Sequence, residues 1–79
     1  MPRAVPPPDW VLARRRLIGA HVRAAREAAN FTQQEVAERI EMDRATYVRI
    51  EQGQSAPLIA SLIRIVDATG VDLAELVQR

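Results

Sequence analysis

Between Phe31 and Gly53 the chain carries two helix starts and two helix stops with almost nothing between them, and this restricts the fold more than any other feature. Thr32 is placed to cap a helix, Glu35 three residues on completes a capping box, and Phe31 precedes them as a hydrophobic staple onto Val36. The predicted helix covers residues 33–40 and buries Val36, Ala37 and Ile40. Glu41 and Met42 break it. Asp43 offers a second N-cap for a helix over 44–52, which buries Tyr47 and Ile50 and is stopped by Gly53. Two helices joined so tightly must cross closely, and Ala37 is small enough to permit it; alanine is also common in this chain, so chance is the other explanation.

The flanking segments continue the helical pattern. Over residues 17–29, Leu17, Ile18, Val22, Ala25 and Ala29 fall at three- and four-residue steps, one stripe of an amphipathic helix that Asn30 is suited to end. Pro57 introduces a fourth helix through residue 68, closed by Gly70, and Asp72 caps a last one over 73–77. Gly19 is the one glycine inside an expected helix, and close approach of another helix explains it. There is no strand-like alternation and no repeat. Residues 1–8 read MPRAVPPP, a disordered or polyproline-like arm. Asp9 is an available cap, but the arginine run at Arg14, Arg15 and Arg16 marks where firm helix begins. The expected organisation is therefore an arm over 1–12 and an all-α domain of five short helices over 13–79.

Composition removes most function classes. At 79 residues and 8.8 kDa the chain makes one small domain. Cysteine is absent, which excludes a disulfide scaffold, a thiolate zinc site and a cysteine nucleophile. His21 is the only histidine, has no clustered partner and is expected as an exposed residue of the first helix; no glycine-rich phosphate loop exists. We therefore expect no enzyme, metal, cofactor or small-molecule ligand. No apolar run is long enough for a membrane span and no signal-type segment opens the chain, so the expected compartment is the cytoplasm. The net charge is only +1, yet residues 1–40 hold seven arginines against four acids, while 41–79 hold four against six. Every cation is Arg. That suits fork-shaped recognition of phosphate or guanine, and equally a GC-rich genome. The Arg14 to Arg16 run reads as a solvated face.

The segments VRAAREAANF, TQQEVAERI and EMDRATYVRIEQG, with the trailing PLIASLIRIVDATGVDLAEL, resemble the helix-turn-helix domain of Cro and cI type phage repressors, also called the xenobiotic-response-element family of bacterial regulators. The resemblance covers about residues 18–76 and joins separate pieces at fixed spacing: Gln33, Ala37, the Ile50-Glu51-x-Gly53 end, Pro57 and Gly70-Val71. It implies a λ-repressor-like fold and a sequence-specific DNA-binding regulator whose third helix enters the major groove of double-stranded DNA. On the matching positions, Asp43, Arg44, Ala45 and Arg49 would contact bases, with Arg44 and Arg49 each able to grip O6 and N7 of guanine. Asp43 has a competing role as a cap. Arg23, Gln33, Thr46, Gln54 and Ser55 would meet the DNA backbone, Gln33 at the start of the second helix, where free N–H groups favour an anion. Arg26 and Glu51 would form a structural salt bridge between the first and third helices.

Three positions depart from the family pattern. Glu41 stands where glycine is usual in the turn, so a left-handed backbone there would cost about 1–2 kcal/mol. Val48 replaces a commonly polar position, and Leu58 a capping Ser or Thr. Leu58, Ile59, Leu62, Ile63, Ile65 and Val66 form a stripe wider than one core seam needs. A candidate dimer face comprises Leu58, Ile63, Leu73, Leu76 and Val77. A homodimer would place two reading helices in successive major grooves; internal core is the competing explanation for the apolar stripe. The other class of function is an antitoxin or adaptor-type protein-interaction module built on the same fold.

Overall fold

The computed structural model describes residues 5–79; the first half of the proline-rich arm, residues 1–4, lies outside them. Five helices follow in order among the described residues: α1 (Asp9–Ala28), α2 (Gln33–Arg39), α3 (Arg44–Glu51), α4 (Ile59–Thr69) and α5 (Leu73–Val77). The main correction is at the start. Helix begins at Asp9, with Pro8 as the extended N-cap residue, so residues 9–12 belong to α1 and not to the arm, and Asp9 sits in the first turn instead of capping it.

Three of the first four helices end on one device. The chain turns left-handed at Asn30 (φ 61°), Glu41 (φ 57°) and Gly53 (φ 71°). At each, its own N–H and that of the following residue reach back to carbonyls at the helix end: Asn30 to Glu27 and Phe31 to Arg26, Glu41 to Glu38 and Met42 to Ala37, Gly53 to Ile50 and Gln54 to Arg49. This is the Schellman arrangement, which satisfies carbonyls a helix end leaves open. Gly70 closes α4 with φ 80° and a single bond to the Val66 carbonyl. The starts of α2 and α3 are capped by side chains: Thr32 and Glu35 form both bonds of the capping box, and Asp43 accepts from the Thr46 N–H at 3.0 Å.

The core gathers Val22 and Ala25 of α1, Val36 and Ala37 of α2 with Ile40, Tyr47 and Ile50 of α3, Leu62 and Ile65 of α4, and Leu76 of α5. Phe31 packs on its edge, as a staple requires. Leu76 is 1% exposed, which removes it from the candidate dimer face: it is the one side chain that ties the short α5 into the interior. Leu58, Ile63, Leu73 and Val77 remain exposed, joined by Ile59. At the far end of α1, Trp10 is 69% exposed. His21 is another correction. It is half-buried, and its ring Nδ1 lies 3.1 Å from the Leu76 carbonyl, linking α1 to α5. No helix among the described residues is long and apolar enough to cross a membrane.

Candidate nucleic-acid interface

The inward side of α3 is fixed at three places. Its carboxyl end runs against Gly19, where an added Cβ would sit 2.5 Å from the Glu51 carbonyl oxygen, so only glycine allows α1 this close. Arg26 of α1 grips Glu51 at the last position of α3 through Nε at 2.7 Å and Nη2 at 3.2 Å. The carboxylate is almost fully buried. Arg26 Nη1 also donates to the Phe31 carbonyl at 2.9 Å, which ties the α1–α2 connection into the same cluster. Finally, Arg15 Nε donates to the Gly53 carbonyl at 2.9 Å, just past the end of α3.

Burial alone would raise the Glu51 carboxyl, but the Arg26 guanidinium, the neighbouring Tyr47 hydroxyl and the Gln33 amide outweigh it and hold the group below its ordinary range. Burial, and then Glu51, push the Tyr47 hydroxyl far up, so it remains protonated. That hydroxyl is enclosed without a partner at full hydrogen-bond geometry.

The opposite side of α3 faces outward. Arg44, Ala45 and Arg49 are exposed, Val48 and Thr46 half-exposed. Among the described residues neither guanidinium is paired with a carboxylate. Asp43 differs from its neighbours. One carboxylate oxygen accepts from the Thr46 N–H and the other from the Thr46 hydroxyl at 2.7 Å, so its geometry is that of a cap and not of a base reader. These two bonds, the hydroxyl's first, hold the Asp43 carboxyl below its usual range. Gln33 is likewise committed inward: its Nε2 donates to Glu51 at 3.2 Å, joining α2 to the α1–α3 cluster, where an outward reach to phosphate was expected. Arg23 is exposed and lies 3.6 Å from Glu27 on its own helix. Gln54 is exposed and Ser55 half-exposed, both directly after α3.

The helix-turn-helix family model matches residues 22–76, from the buried Val22 of α1 to the buried Leu76 of α5. The chain belongs to this family, of the Cro and cI type. No curated protein and no solved structure gives a significant match. A helix-turn-helix domain of this kind is a DNA-binding regulatory module, and its partner is double-stranded DNA. In this helix-turn-helix α2 and α3 are the paired helices, and the turn between them passes through Glu41 in the left-handed conformation.

Sequence reasoning missed the helix-turn-helix supports that end on backbone carbonyls. Besides Arg15, Arg64 of α4 donates to the Ile40 carbonyl at 3.2 Å and so closes the end of α2. Arg39 lies 4.4 Å over the Phe31 ring, a cation–π contact across the same helix. Arg39 stands directly before Ile40 and Arg64 between Ile63 and Ile65, a placement beside apolar residues too common in a helix to single them out.

Proposed function

We propose that the chain is a bacterial or phage transcriptional repressor that occupies operator DNA in the cytoplasm as a homodimer, with α3 in the major groove. The observation that carries this reading is the outward surface of α3, where Arg44, Ala45 and Arg49 stand exposed on a helix whose other side is clamped by Arg26, Gly19 and Arg15. Held this way, the helix that carries the two unpaired guanidinium forks keeps one geometry relative to the domain, which is what base-edge recognition needs. Arg44 and Arg49 read guanine and Ala45 packs beside them, while Asp43 caps the helix. Arg23, Gln54 and Ser55 flank the groove as contacts to the sugar-phosphate backbone, whereas Gln33 and Thr46 spend their donors on Glu51 and Asp43. Repression is carried over from the family resemblance, and dimerisation rests on the exposed Leu58, Ile59, Ile63, Leu73 and Val77.

Selection from a random duplex pool followed by sequencing, at two salt concentrations, tests the reading. A two-fold symmetric site is expected, and Arg44→Ala should relax preference at one base pair by about 1–3 kcal/mol. Unchanged preference would remove Arg44 as a reader. The exposed apolar residues of α4 also favour a second reading, a module that grips another protein. A pool that enriches nothing, together with a single partner in a pull-down, would establish that second reading instead.

A further inference from the structure

The outward surface of α3 combines two chemistries. Arg44 and Arg49 are polar forks. Ala45 and Val48 are apolar, and each lies one helical turn from an arginine: Val48 from Arg44, Ala45 from Arg49. Thr46 supplies no free donor beside them, because its hydroxyl hydrogen is engaged by Asp43 at 2.7 Å. A half-exposed valine on this face is costly to leave in water and does not belong to the core, which takes Tyr47 and Ile50 from α3.

In the major groove one base feature rewards an apolar side chain, the C5-methyl group of thymine. We infer that Val48, with Ala45, reads a thymine methyl close to the guanines read by Arg44 and Arg49, so that the half-site of this protein is a guanine- and thymine-containing element. A helical turn rises about 5.4 Å and a base step about 3.4 Å, which puts each thymine about one or two steps from its guanine. This specificity rests on the operator reading proposed above, and it makes Val48 a determinant of which operator is chosen.

The test replaces thymines of the selected duplex, one at a time, by 2′-deoxyuridine, which removes the methyl and keeps every hydrogen-bonding group of the base. The base change leaves the protein untouched, so no folding defect can imitate its effect. Binding of the full chain should weaken about fourfold at one or two positions, the loss of one buried methyl group. In Val48→Ala, checked for native helix content and melting, that penalty should shrink at one position, while the preference for guanine stays. A tight site in which every thymine is replaceable without loss overturns the inference and leaves the operator reading intact. A penalty that persists unchanged in Val48→Ala and in Ala45→Gly overturns it too, since something else then reads the methyl. A pool that enriches no duplex overturns the operator reading, and this inference with it.

Discussion

Glu41 holds a left-handed backbone, φ 57°, in the turn before α3, a conformation that costs a non-glycine residue about 1–2 kcal/mol. Glu41→Gly should therefore stabilise the domain by about 1 kcal/mol, read as a melting temperature higher by roughly 4–8 °C. It also removes a negative charge beside the reading helix, so non-specific DNA affinity should rise. Glu51 provides a second prediction. Its folded-state pKa lies below that of an ordinary glutamate, so the stability it contributes is complete above the unfolded value and is lost as pH falls through the depressed one. Urea unfolding should show a loss of stability from pH 5 toward pH 3, with a shallower slope in Glu51→Gln. That variant starts from a lower stability, because it leaves Arg26 nearly buried without its counter-charge. At this scale the sequence was legible for Arg26 and Glu51 only through the resemblance to the family, whose pattern pairs these two positions across 25 residues of chain. It was silent on His21 and Arg15, whose partners are the carbonyls of Leu76 and Gly53, groups that every residue carries.

The starts of α2 and α3 could be placed from the sequence because a cap acts through neighbours three residues away, Thr32 with Glu35 and Asp43 with Thr46. The beginning of α1 could not. Its inward stripe passes through Arg15, which donates to the Gly53 carbonyl, and through Gly19, which is buried without a side chain, so the apolar period disappears before Ile18. The glycines that end α3 and α4 look equivalent as helix stops, yet they are not. A Cβ at Gly53 would sit 2.6 Å from the Arg16 Cα, whereas nothing lies within 4 Å of one at Gly70. Gly70→Ala should cost only the backbone strain, about 1–2 kcal/mol. Gly53→Ala adds an overpacking term of about 1–3 kcal/mol and shifts α1 against the reading helix. Thermal melting should separate the two variants, and DNA binding should weaken more in Gly53→Ala at temperatures where both are folded.

Over the whole molecule, the apolar residues of α4 and α5 divide into two sets that periodicity alone could not separate. A five-residue helix such as α5 offers too few turns to define an inward side, and Leu76, Leu73 and Val77 became distinguishable only once α1 was in place beside them. Leu76→Ala should cost about 2–5 kcal/mol and abolish cooperative unfolding in a domain this small. Ile63 is 55% exposed, so Ile63→Glu should leave the melting curve nearly unchanged. If α4 joins two copies, sedimentation of Ile63→Glu should shift from dimer to monomer and weaken operator binding; an unchanged sedimentation coefficient would remove that residue from any self-association.

The placement of Trp10 has a practical consequence. It is the chain's sole tryptophan and stands outside the core on the first turn of α1, so its indole meets water before and after unfolding. Intrinsic emission excited at the red edge will report little of the folding transition, and a flat fluorescence trace from this protein would record the position of its fluorophore and nothing about the integrity of the bundle.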